Sequence, residues 1–113
     1  MKKTIALVCL VLAGCDSNDE LYNLPDCQSI ATVVMAKYDL PFNNRNDQVV
    51  QDACQKGRGM YHSRHTWEYD SYREKIDTAK KYATGDNKKV ISITDDAITA
   101  GYYLQVRLMK KAP

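Results

Sequence analysis

From residue 26 onward the chain places its apolar side chains at helical intervals. Cys27, Ile30, Ala31, Val34 and Tyr38 fall at i, i+3, i+4, i+7 and i+11, one face of a helix over 26–38. Pro25 or Asp26 opens it, since proline suits a first helical turn. Leu40-Pro41 closes it ahead of PFNNRND, a loop rich in turn-formers. Asn46 is placed to cap a second helix, with Asp47 in its first turn. There a stripe runs through Val50, Cys54, Gly57, Tyr61, His65, Tyr69, Tyr72, Ile76, Ala79 and Ala83 in steps of three and four, with no proline between. The unbroken phase predicts one long helix over 47–83, softened or kinked where Gly57 and Gly59 each cost about 1 kcal/mol of helix propensity. Arg73–Asp77 and Asp77–Lys81 are i,i+4 charge pairs expected on its wet side. Thr84-Gly85-Asp86-Asn87 ends it, with Gly85 a natural residue for the turn beyond a helix.

The last segment carries two periods. Ile98, Tyr102, Gln105, Leu108 and Met109 lie at helical spacing, Thr94 with Asp95 and Asp96 makes a helix start, and Lys110-Lys111 suit a helix C-terminus. Leu104, Val106 and Leu108 also alternate with Gln105 and Arg107 at strand period, and VISI could then supply a partner strand. The cap favours a helix over 95–111, with a C-terminal β-hairpin as the alternative. The fold expected is therefore all-α, a small bundle of about three helices.

The apolar run at the other end of the chain has no such periodicity. Lys2 and Lys3 precede Thr4 to Leu12, an uninterrupted apolar stretch far shorter than the roughly 20 residues that span a bilayer. Charge, apolar core and small residues in that order read as a signal peptide over 1–14. Leu12-Ala13-Gly14-Cys15 then resembles the lipobox of bacterial lipoproteins. The resemblance implies that the Cys15 thiol receives a diacylglycerol, that the leader is cut before it, and that the new amine is open to acylation, by palmitate for example. It further implies a periplasm-facing protein held in the cell envelope. Asp16 resembles the signal that retains enterobacterial lipoproteins in the inner membrane.

Losing the 14-residue leader leaves 99 of the 113 residues and removes Lys2 and Lys3, so the 16 basic residues fall to 14 and equal the 14 acids. The formal charge of +2 thus belongs to the leader, and the general electrostatic case for nucleic-acid binding disappears. Residues 15–25 carry Asp16, Asp19 and Glu20 and no base, and Asp26 follows. They read as a solvated acidic tether, either repelled from anionic lipid or a plain linker, leading into a helical domain over 26–113. Of the four cysteines, Cys9 leaves with the leader and Cys15 is the lipid site. Cys27 and Cys54 remain in an oxidising compartment, each on the apolar face of its helix, and are expected to form a disulfide. Closing that loop contributes about 3–4 kcal/mol in the chain-entropy picture.

Candidate chemistry is sparse. No nucleophile elbow, phosphate-binding glycine loop, Cys-x-x-Cys pair or zincin signature occurs, and no cofactor is expected. His62, His65 and Glu68 stand three apart, a spacing that could present three zinc ligands, although His65 also falls on the projected core stripe. KGRGMYHSR (56–64) gathers cations and histidine; it reads as a solvated polar stretch, with a phosphate or anionic-lipid contact as the sharper alternative. Eight tyrosines stand against one phenylalanine and one tryptophan, and tyrosine suits protein–protein contact. Tyr102 and Tyr103 cannot both face one side of a helix, so one of them points outward as a candidate interaction surface.

Together these features predict a non-enzymatic, lipid-anchored binding or accessory protein with an envelope protein as partner. In plan it resembles small lipoproteins of enterobacteria and their plasmids and phages, whose roles include exclusion and assembly support. VVQDACQKG (49–57) resembles faintly the second-cysteine region of small periplasmic acid-stress chaperones, which makes a stress chaperone the runner-up. A metal-dependent hydrolase on the histidine pair is the third reading.

Overall fold

The computed structural model describes residues 20–111. Among the described residues four helices follow one another: α1 Cys27–Lys37, α2 Asn44–Gly59, α3 Trp67–Tyr82 and α4 Gly85–Lys111. Among the described residues there is no strand, and the C-terminal hairpin alternative falls. Residues 104–108 alternate in sequence, yet they lie in α4, where Leu104 is buried and Val106 only half-buried.

Asp26 starts α1, its Oδ1 accepting the Ser29 amide at 2.8 Å. That side chain satisfies an amide with no partner inside the helix, and Pro25 lies just before the cap. Asn43 does the same for α2, accepting the Asn46 amide at 2.8 Å. The cap therefore comes three residues before the expected Asn46, and Asn46 instead ties its side chain to the Pro41 carbonyl at 2.9 Å.

The helix expected over 47–83 is two. α2 stops at Gly59, and the chain turns through residues 60–66, where Tyr61 donates to the Arg58 carbonyl and His65 to that of His62. His62 and His65 form an isolated antiparallel bridge. Glu68 and Asp70 then fill the first turn of α3, the end of a helix where negative charge is favourable. The apolar phase survives the break because α2 and α3 both pack against α4. The helix expected at 95–111 begins ten residues sooner. Gly85 adopts φ +59°, open to glycine at no steric cost, so a two-residue link reverses the chain. Thr94 consequently lies inside α4, its hydroxyl on the Val90 carbonyl at 2.9 Å.

α4, 27 residues and about 40 Å long, is the axis. α1 runs against it, with Tyr38 meeting Asp96 and Leu24 meeting Arg107. α3 also runs against it, from Tyr69 on Tyr102 to Lys80 on Asp95. α2 crosses in the same sense as α4 and does so backbone to backbone. A Cβ on Gly57 would lie 1.8 Å from the Ile98 carbonyl oxygen, and one on Gly101 would lie 2.0 Å from that of Cys54. Cys54 is joined to Cys27 with Cα atoms 5.7 Å apart, so the disulfide fixes α1 at the place where α2 and α4 touch. Around it Leu21, Ile30, Ala31, Val34, Ala97 and Leu104 form the main core. Met60, Tyr69, Ile98 and Tyr102 form a second core under α3.

Candidate functional site

The polar interior centres on two adjacent acids of α4. Asp95 is 3% exposed, and its Oδ1 accepts from the Tyr72 hydroxyl at 2.7 Å, Arg73 Nη1 at 2.7 Å and the Thr99 hydroxyl at 3.0 Å. The Lys80 ammonium donates to its Oδ2. Asp96, 9% exposed, accepts from Lys37 Nζ at 2.7 Å and the Tyr38 hydroxyl at 2.6 Å. Burial opposes the charge on Asp95, but the hydrogen bonds from Lys80 and Tyr72 and the charges of Lys80 and Arg73 outweigh it and hold its carboxyl below the usual carboxylate range. Burial, and then the hydrogen bond to an anionic partner, push the Tyr72 and Tyr38 hydroxyls well up. Burial and the nearby Asp96 charge raise Tyr22 to about 12. Burial works against the Arg73 charge, but Asp95, Tyr69 and Asp77 together outweigh it, and the guanidinium stays firmly protonated. An open groove of about 510 Å³ passes over this cluster, walled by Tyr22, Tyr69 and Tyr103. Each carboxylate is already engaged by two or more donors, which makes the cluster a clasp joining α1, α3 and α4.

These acids were expected to start a helix and instead hold three helices together. The signal that could have located them is the recurrence of Lys37-Tyr38 and Tyr72-Arg73, two cation–phenol pairs able to face one acid pair.

The histidine constellation takes a different form from a metal site. His62 Nε2 meets Glu68 Oε1 at 2.7 Å, while His65 Nε2 accepts from Trp67 Nε1 at 3.2 Å. The imidazoles stack with centroids 4.7 Å apart at 29°. Rings lying face to face do not aim their nitrogens at one point, as shared coordination of a metal requires. Among the described residues no group of three metal-ligating side chains is gathered. His65, placed on the core stripe by its spacing, is exposed; it sits in the turn, where helical phase has no meaning.

Tyr102 is 7% exposed and stacks on Tyr69 with centroids 3.9 Å apart at 9°, while Tyr103 is 39% exposed and packs on Tyr22 at 5.2 Å. Tyr103 is the outward member of the pair. Beside it an apolar groove of about 360 Å³ is lined by Tyr22, Tyr103, Val106, Arg107 and Lys110. Arg107 Nη2 donates to the Leu24 carbonyl at 2.7 Å, and its enclosed Nε has no partner among the described residues. A second apolar groove, of about 190 Å³, lies between α2 and the first half of α4, where Val49 and Val90, each 60% exposed, flank Leu40 and Ile93. Cys15 and Asp16 lie outside the described residues. No described helix is long and apolar enough to cross a membrane. Comparison with protein-family models, curated proteins and solved structures gives no match to the chain.

Proposed function

We propose that this chain is a lipid-anchored protein of the bacterial cell envelope that works without catalysis, by holding an envelope protein against its helical bundle. The anchor follows from Leu12-Ala13-Gly14-Cys15 behind a short basic and apolar leader. The observation that carries partner binding is the groove between α2 and α4. Val49 and Val90 are left 60% exposed there beside Leu40 and Ile93, and burying a valine side chain is worth about 1.5–3 kcal/mol. Phe42, in the loop leading into α2, is 66% exposed and adds an aromatic anchor of the kind that dominates interfaces. The buried acids serve the fold, with every carboxylate tied to cations and hydroxyls of neighbouring helices.

Affinity capture of the acylated protein from detergent-solubilised envelopes tests this reading. A defined protein should copurify with the native chain and be lost from a Val49→Asp/Val90→Asp variant that is still processed and folded. Equal capture by the variant, or general suppression of client aggregation at low pH with no dedicated partner, would reject it; the second outcome would favour the chaperone reading.

A further inference from the structure

We infer that the stripe of α4 formed by Tyr103, Val106, Arg107 and Lys110, together with Tyr22, is the face this protein lays on an anionic bilayer surface. The inference rests on the reading of Cys15 as a lipid anchor.

Three observations carry it. The first is reach. Leu21 is fully buried in the main core, and six residue steps separate it from Cys15. Even fully extended, six steps span no more than about 22 Å, whereas the bundle measures 42 × 39 × 29 Å. The face around the point of chain entry is therefore held near the bilayer.

The second is what surrounds that entry point. Tyr22 follows Leu21 directly and packs on Tyr103, and the adjoining groove of about 360 Å³ continues over Val106 to Arg107 and Lys110. Phenol rings and a valine beside two long cations match the layering of a headgroup region, where aromatic rings settle at the interface and basic side chains reach phosphate. The Arg107 guanidinium spends one N–H on the Leu24 carbonyl, so one residue both fixes the incoming chain and stands at the surface beside it.

The third is charge distribution. From Ala97 to Lys111, α4 contains Arg107, Lys110 and Lys111 and no acid, while Asp86, Asp95 and Asp96 all lie in its first half. Asp16, Asp19 and Glu20 on the short leash oppose the attraction, so the contact is weak on its own and becomes effective through the high local concentration that the anchor imposes. The groove proposed for the protein partner lies about 20 Å along α4, from Val106 back to Ile93, and shares no residue with this face.

The test uses the mature acylated chain in vesicles of phosphatidylethanolamine and phosphatidylglycerol with bromine-labelled acyl chains, which quench nearby tryptophan. In a Trp67→Phe background, one variant carries Tyr103→Trp and another Phe42→Trp, at the loop between α1 and α2. Quenching several-fold stronger at 103 than at 42 is expected. It should weaken at high salt, and Lys110→Glu should lower the docked-to-undocked ratio by about fivefold or more without shifting thermal unfolding. Equal quenching at both positions, or none at 103 in protein that carries its acyl chains, would overturn the docking face alone. Absence of acyl chains on Cys15 would overturn the anchor and the face together. Salt-resistant shielding of position 103 that grows with protein density would assign the face to a second copy of the chain.

Discussion

Asp95 receives four donors, three from α3 and one from α4, and its loss illustrates what the polar interior contributes. In Asp95→Asn the Lys80 cation loses its counter-ion, Arg73 keeps only its pair with Asp77, and the Tyr72 and Thr99 hydroxyls keep only a neutral acceptor. Removing one partner of a buried ion pair costs 3–5 kcal/mol. Arg73 and Lys80 retain 29% and 32% side-chain exposure and turn partly to water, so about 3 kcal/mol is expected, read from urea unfolding. The two glycines of α2 make the complementary case. Gly57→Ala drives a methyl group into the Ile98 carbonyl and should destabilise by several kcal/mol, as forced overpacking does. Gly59 has nothing within 4 Å of its Cβ position, and Gly59→Ala should stabilise by up to about 1 kcal/mol. Thermal unfolding of the two variants measures both signs. From the sequence these glycines look alike, each a weak point in a helical stripe, because the partner backbone that distinguishes them lies more than forty residues away.

At the scale of elements, local signals succeeded where the chain's neighbours along the sequence decide the outcome. α1 was legible to within a residue at each end because its stripe, its Asp26 cap and its proline-bounded exit are all local. The disulfide was legible because both cysteines fall on apolar faces. The long-helix expectation failed because periodicity records which positions face the core and not whether the chain is continuous. Residues on α2, the turn and α3 all meet α4, so their spacing mimics one helix. The start of α4 was missed because Asp95 and Asp96 imitate first-turn acids, whereas their donors come from Lys37, Tyr38, Tyr72, Arg73 and Lys80 on other helices. The bridge between Cys27 and Cys54 closes 27 residues of sequence, and a Cys27→Ala/Cys54→Ala variant should lose about 3 kcal/mol, measured by thermal unfolding with and without reductant. Reductant should move the parent towards the variant and leave the variant unchanged.

For the whole molecule the acid–phenol clasp sets a pH range for stability, and the sign follows from each group. Asp95 has a folded-state pKa below its usual value, so the unfolded chain takes up the proton first as pH falls. Its contribution is fully present above about pH 5 and is lost through pH 4 and below. Tyr22, raised to about 12, and Tyr38 and Tyr72, raised further, behave oppositely. The unfolded chain releases these protons near pH 10, so their contribution is intact below that value and is lost as pH rises past it. Stability plotted against pH should therefore show a plateau between about 5 and 9 with a fall on each side. Tyr72→Phe separates the two limbs. It removes one raised phenol and one donor to Asp95, so it should lower the plateau by about 1 kcal/mol and shallow the alkaline fall. On the acid side it weakens the preference of Asp95 for its charged form and should shift that fall to slightly higher pH. Urea unfolding of parent and variant from pH 3 to pH 11 gives all three readings, and an unchanged alkaline limb would show that the Tyr72–Asp95 bond does not carry it.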